Sequence, residues 1–164
     1  MFFTDISLPE IEERLRSRLS QLASRYELLR KEDITLLKYG RGAVAHELIK
    51  AWLVEWGEGA GYAAWPEYRP RMDAGGKKID VVYLKEGVGV VAGFEIDKGV
   101  KGRSAAKLCM LPSSAVRCVI SFGSGTRGSG NPVIAEKKAA HFGLHRIDLT
   151  EARLPDVWGN LRRG

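Results

Sequence analysis

The stretch KKIDVVYLKEGVGVVAGFEIDKG, residues 77–99, decides the fold. Two apolar runs flank the turn sequence KEG, and so short a turn predicts an antiparallel hairpin. Three carboxylates lie in these runs, on Asp80, Glu95 and Asp97. An ionised carboxylate taken out of water is costly unless it is paired or binds a metal. The stretch therefore predicts two central strands and a site in which pairing or a bound metal offsets the cost of burying these carboxylates.

The flanking sequence extends the hairpin into a larger sheet. Upstream, the run YAAWPEYRPRM and the turn DAGG predict a third antiparallel strand, so that the three form a meander. Downstream, GRSAAKLCML predicts a helix stopped by Pro112, and the apolar run AVRCVISF predicts a strand buried on both faces. A helix opening at Asn131 and Pro132 and a short strand, LHRIDL, complete the order.

Two helices precede the meander. Apolar residues at three- and four-residue spacing predict an amphipathic helix over residues 8–30, and a second helix is expected from about Gly42 to Trp56, ended by GEGAG. The order helix, helix, three strands, helix, strand, helix, strand predicts an α/β fold with a central mixed sheet of about five strands. A chain of 164 residues fits a single domain. We expect an N-terminal helical extension over 1–41, a core over 42–149 and a tail over 150–164.

Charge and composition restrict the partners. A formal net charge of +6 favours a polyanionic partner. The N-terminal sequence MFFTDISLPEIEERL lacks the pattern of a secretory signal, and no apolar run approaches the length of a membrane span. The two cysteines fit neither a metal knuckle nor a redox motif, and a reducing compartment suits them. We therefore expect a cytoplasmic protein with no membrane partner.

The three acids predict a metal site. Glu95 and Asp97 are two residues apart on one strand and share a face, and pairing across the KEG turn brings Asp80 near them. Their mutual repulsion would be removed by Mg²⁺ (or Mn²⁺), which prefers carboxylate oxygens and keeps waters or substrate phosphate as further ligands. Such an ion activates water for attack on phosphate. The alternative is simple pairing of the acids with Lys77, Lys78 and Lys98 at a sheet edge.

These residues and the element order resemble the PD-(D/E)XK nuclease superfamily, whose fold is restriction-endonuclease-like. The resemblance covers about residues 42–149. It implies a Mg²⁺-dependent endonuclease or exonuclease acting on DNA rather than RNA, with Asp80 as the metal-binding acid and Glu95 as the second. Glu47 would match the acid on the first core helix. Asp97 stands where the superfamily usually has lysine, so the chain resembles an E-x-D variant. Lys107, on the next helix, is the better substitute for that lysine, and Lys101 is a further candidate.

Other cations and the glycine-rich loop complete the expectations. Contact with the nucleic-acid backbone is expected from four residues: Arg41, Lys98, Lys101 and Arg127. The loop GSGTRGSG spells the GxGxxG of a dinucleotide site, but the helix opens only at Asn131, too late to meet a pyrophosphate held there.

Two further interpretations stay open. A chain with Asp97 in place of lysine fits a non-catalytic nucleic-acid-binding module as well as a nuclease. The long N-terminal amphipathic helix suggests a homodimer, because its apolar stripe could exceed what its own core needs.

Overall fold

The structure is a computed structural model that describes residues 6–29, 40–70, 76–97, 99–122 and 132–149, the side chains of 19–29, 40–45 and 132 excepted. Four helices and five strands occur in this part, in the predicted order. The helices are α1 (Leu8–Leu29), α2 (Gly40–Gly59), α3 (Gly102–Leu108) and α4 (Pro132–His141). The strands are β1 (Ala63–Tyr68), β2 (Ile79–Lys85), β3 (Gly89–Asp97), β4 (Val116–Ser121) and β5 (His145–Asp148).

The five strands form one mixed sheet in sequence order. β1, β2 and β3 are antiparallel neighbours, which confirms the meander, whereas β3, β4 and β5 run parallel. The parallel pairs follow from the crossovers, since a helix lies between β3 and β4 and another between β4 and β5. The α/β fold with a five-stranded mixed sheet is therefore as predicted.

Helices cover both faces of the sheet. α1 and α2 pack on one face through Ile11, Leu15, Ile49 and Leu53, all fully buried. α3 and α4 cover the other face with smaller residues, such as Ala105 and Ala135, together with Leu108. Because Ile11 and Leu15 lie in the main core, the first half of the N-terminal helix belongs to the body of the fold rather than standing apart from it.

The turn between β2 and β3 explains why the hairpin forms where the sequence predicts. The Val88 N–H donates to the Lys85 carbonyl at 3.0 Å. Gly87 and Gly89 have φ angles of 76° and 94°, in the left-handed region where a Cβ is strained. The two glycines fix the turn, and the turn fixes which residues of β2 and β3 face each other.

The second helix is longer than expected. It continues past Trp56 to Gly59 although GEGAG reads as a helix stop. A Cβ built at Gly57 would lie 2.5 Å from the ring of Tyr83, so this glycine is needed for close packing and not for a turn. In the described part of the chain, no helix is both long and apolar enough to cross a membrane.

Candidate functional site

Asp80 and Glu95 are interlocked across the β2–β3 hairpin. The register pairs Val81 with Phe94, which makes Asp80 and Glu95 the next residues facing each other. The Asp80 N–H donates to Glu95 Oε2 at 2.9 Å, and the Ile96 N–H donates to Asp80 Oδ2 at 2.8 Å. Each carboxylate thus accepts a backbone hydrogen bond from the other's strand. The structure brings these two acids together, as the hairpin predicts.

Glu95 is the buried member of the pair, with 1% of its surface exposed. Burial and then the charge of Asp80 raise the pKa of Glu95 to about 7, although a hydrogen bond from Lys107 acts in the opposite direction. The Lys107 ammonium group contacts Glu95 Oε1 and also donates to the Lys78 carbonyl at 2.9 Å. Lys107 therefore reaches Glu95 from α3, the helix on which the sequence placed the substitute lysine.

His46 reaches Asp80 from α2, on the other face of the sheet. Its Nε2 lies 3.2 Å from Asp80 Oδ1, and its Nδ1 lies 3.4 Å from Glu47 Oε1. The hydrogen bond to Asp80 raises the pKa of His46 in spite of partial burial. Burial disfavours the charged form of Asp80, but the bonds from His46 and from the Ile96 N–H keep its pKa below the usual value. Both shifts favour a protonated His46 beside an ionised Asp80. Glu47 is 64% exposed and connects to Asp80 through His46.

Two residues that the sequence analysis missed extend this network. Lys50 Nζ lies 2.9 Å from Glu47 Oε1 and 2.9 Å from Glu67 Oε1. Glu67 is in β1 between Pro66 and Tyr68, whose partners Val81 and Ile79 flank Asp80 in β2. Its φ of 53° is left-handed, which is rare for a residue other than glycine. The sequence signal was the Pro66–Glu67 pair, because proline inside a strand marks an irregular edge.

Asp97 is held separately by α3. Lys101 Nζ lies 2.9 Å from Asp97 Oδ1, and the Ser104 hydroxyl donates to Oδ2 at 3.2 Å. Within the residues that the structure describes, no three or more His, Cys, Asp and Glu side chains are grouped closely enough to hold a metal ion. A site with Asp80, Glu95 and Asp97 as joint ligands stays a prediction.

The cations expected at a nucleic-acid backbone are described only in part. Lys101 pairs with Asp97 and is 41% exposed. Arg41 lies in the first turn of α2, but its side chain is outside the described residues, as are Lys98 and Arg127 altogether. Their contacts with nucleic acid stay predictions.

The donor set at Asp80 and Glu95 fits a hard divalent cation. Mg²⁺ is usually bound by one or two carboxylates and keeps waters and phosphate oxygens as its other ligands. Here the two carboxylates are adjacent and one is almost fully buried, and burial first, then repulsion from Asp80, raises the pKa of Glu95. A divalent cation bound by both would remove that repulsion.

Comparison of the chain with family models, with curated proteins and with solved structures found no match in any of the three.

Proposed function

We propose that the protein is a metal-dependent nuclease that hydrolyses phosphodiester bonds, in DNA rather than RNA, on a restriction-endonuclease-like fold. The observation that carries the proposal is the pair of interlocked carboxylates, Asp80 and Glu95, with Lys107 from α3 against the buried one. A helix followed by a meander and a helix–strand crossover is the element order of the superfamily that the sequence resembles, which supports the same assignment.

In this proposal Asp80 and Glu95 hold Mg²⁺ or Mn²⁺, which supplies an activated water and offsets negative charge on the phosphoryl oxygens. His46 keeps Asp80 ionised, because its pKa is raised and that of Asp80 is lowered by their hydrogen bond. Glu47, which is paired with Lys50, contacts the other ring nitrogen of His46. These residues fix the protonation state and the direction of the Asp80 carboxylate.

Lys107 supplies positive charge beside the acids. Position 97, where the superfamily usually has lysine, carries an aspartate that pairs with Lys101. The side chain of Lys107 is only 19% exposed and lies against Glu95, so water screens its charge only weakly. A cation in such a place stabilises the charge that develops on the phosphoryl group in the transition state.

The test is cleavage of branched, single-stranded and duplex DNA with Mn²⁺ or Mg²⁺, comparing the wild type with Glu95→Ala. We expect cleavage of at least one substrate by the wild type and none by the variant. Calorimetry should show Mn²⁺ binding that Asp80→Ala abolishes. Glu86→Gln is the matched control, since Glu86 is an exposed acid in the turn of the same hairpin. Absence of Mn²⁺ binding to the wild type would refute the proposal.

One observation favours a second candidate, a non-catalytic nucleic-acid-binding module. The acid at position 97 is tied to Lys101 and Ser104 and contributes no positive charge of its own. The same experiment separates the two candidates, because a binding module would retain DNA at low salt in a gel-shift assay and leave it uncut with either metal.

A further inference from the structure

A cavity of about 720 Å³ lies between α1, the end of α2 and the end of β2. Lys85 lines it, whereas Asp80 lies five residues earlier on the same strand, a separation of about 17 Å along the strand. The volume of the cavity is within the range of small-molecule sites. The cavity is thus distinct from the acidic site.

One wall of the cavity is aromatic. Trp52 and Trp56 line it, and their rings stack with centroids 6.4 Å apart and planes 27° apart. Trp56 in turn stacks on the fully buried ring of Tyr83, with centroids 6.0 Å apart. Because each ring is backed by the next, the wall is fixed in place. A rigid aromatic surface in a cavity favours a planar ring as ligand.

The lining of the cavity also carries charge. Arg14 pairs with Glu10 at 3.1 Å. Arg18 and Lys85 also line the cavity, and neither has an ion-pair partner among the described residues. The one other acid in the lining is Glu55. The unpaired side chains leave a net positive charge, which favours an anionic group on the ligand.

Small residues at the end of α2 and just after it also line the cavity. Gly59, Ala60 and Gly61 line it, and a Cβ built on either glycine meets no atom within 4 Å. The φ of Gly61 is 91°, whereas Gly59 is in the helix and accepts a side chain without backbone strain. A larger residue at Gly59 therefore fits without a steric clash and adds bulk at one position of the cavity lining.

We propose that this cavity binds a nucleotide, with the base stacked on Trp52 and the phosphate between Arg18 and Lys85. The proposal goes beyond the proposed nuclease activity and does not require it. Two sources offer the same chemistry: a free mononucleotide, or one residue of a nucleic-acid single strand.

The test measures binding in EDTA, so that no metal-dependent cleavage can occur. The probes are adenosine 5′-monophosphate, an oligodeoxyadenylate of ten residues labelled with a fluorophore, and inorganic tripolyphosphate. Calorimetry measures the first and third, and fluorescence anisotropy the second. The variants are Trp52→Ala, Trp52→Phe, Lys85→Ala and Gly59→Leu. Lys137→Ala is the matched control, because it removes the same charge from α4 on the opposite face of the sheet.

Loss of stacking in Trp52→Ala should weaken nucleotide binding about tenfold or more, and Trp52→Phe should restore most of it. Lys85→Ala should weaken it roughly threefold at low salt, and the difference should shrink as salt is added. Gly59→Leu, which adds bulk to the cavity lining, should weaken binding without lowering the melting temperature, whereas Lys137→Ala should have no effect. Saturation by the mononucleotide identifies a free nucleotide as ligand, and binding of the oligonucleotide alone identifies a strand.

Three results would overturn the proposal: no binding of either nucleotide probe at millimolar concentration, tripolyphosphate binding as tightly as the nucleotides, or affinities that Trp52→Ala and Gly59→Leu leave unchanged. The nuclease proposal is unaffected by any of them, since it is tested by cleavage and Mn²⁺ binding at Asp80 and Glu95. Conversely, a chain that cuts no DNA can still bind a nucleotide here.

Discussion

The two ends of the β2–β3 hairpin bury titratable groups in opposite ways. Near the turn, the Tyr83 hydroxyl is buried and donates to the Leu53 carbonyl at 2.5 Å. Its ring packs against Phe94, with centroids 4.9 Å apart, and against Tyr62, with centroids 5.6 Å apart. The group is neutral, and its one donor has a partner. Tyr83 therefore contributes stability and no charge.

At the other end, the buried group is a carboxyl beside a second carboxylate. The cost of burying Asp80 and Glu95 is offset by basic side chains from both faces of the sheet. His46 contacts Asp80 from one face, and Lys107 contacts Glu95 from the other. Burial raises the pKa of Tyr83 as it raises that of Glu95, but only the pKa of Glu95 falls near neutral pH. One hairpin therefore carries both the aromatic packing around Tyr83, which stabilises the core, and the carboxyl pair Asp80 and Glu95, whose burial costs stability. This is expected where function competes with stability.

The largest effect on stability should come from removing the buried ring of Phe94. Phe94→Ala should lower the free energy of unfolding by about 3–5 kcal/mol, because the fully buried ring leaves a cavity. Urea unfolding followed by circular dichroism measures the change. Val88→Ala, at an exposed position in the hairpin turn, should change stability by less than about 0.5 kcal/mol. Similar values for the two variants would contradict the role of the buried Phe94 ring in the core.

A loss of activity without a loss of fold should follow from Lys107→Met, which keeps most of the aliphatic stem. Cleavage should fall by about 10²–10³-fold, as when one preorganised electrostatic contact is removed from an active site. Single-turnover rates at saturating Mn²⁺ measure it, and Lys137→Met on α4 is the control. An unchanged rate in the Lys107 variant would show that this lysine is structural.

The pH dependence of stability should differ between the wild type and Glu95→Gln in metal-free protein. The pKa of Glu95 is raised to about 7 in the fold, so the native state binds more protons than the unfolded state between about pH 4.5 and pH 7. The wild type should therefore lose roughly 1–3 kcal/mol relative to the variant as pH rises through this window. Urea unfolding at pH 5 and at pH 8 measures the change. If the difference in free energy of unfolding between the wild type and Glu95→Gln is the same at both pH values, the carboxylate of Glu95 is not destabilised by burial. Glu86→Gln should behave as the wild type.

The smallest effect should come from Tyr83→Phe, which deletes a single hydroxyl. Loss of the hydrogen bond to Leu53 should cost about 1 kcal/mol at pH 7. Because burial raises the pKa of Tyr83, the native state keeps this proton above pH 10 and wild-type stability falls there, while the variant lacks that part of the slope. The buried thiol of Cys118 has a raised pKa for the same reason, so some slope should remain in both proteins. Identical alkaline slopes would contradict this account.

The fold was predictable because its signals are local. The KEG turn, the apolar runs of β2 and β3 and the helical period before them predict the elements, and short connections predict which elements are neighbours. The end of α2 was misplaced because the need for Gly57 comes from the ring of Tyr83, which is distant in sequence. Contacts between distant elements leave no local pattern.

The candidate site, too, was predictable from the sequence only where its contacts are local. The hairpin register alone brings Asp80 beside Glu95, so that pair could be found from the sequence. The contact of His46 with Asp80 and the bridge from Lys50 to Glu67 depend on how α2 lies across the sheet. No spacing within the chain encodes that crossing, and so Lys50 and Glu67 went unnoticed.

The left-handed backbone at Glu67 also bears on how copies of the protein can associate. Among the strands that the structure describes, β1 lies at an edge of the sheet, and an unbroken edge is a template on which a second chain can add a strand. Pro66 lacks an N–H, and the turn of the backbone at Glu67 redirects the groups that follow it. Strand addition at this edge is thereby discouraged. If the homodimer that the N-terminal helix suggests forms, its contact surface should lie elsewhere.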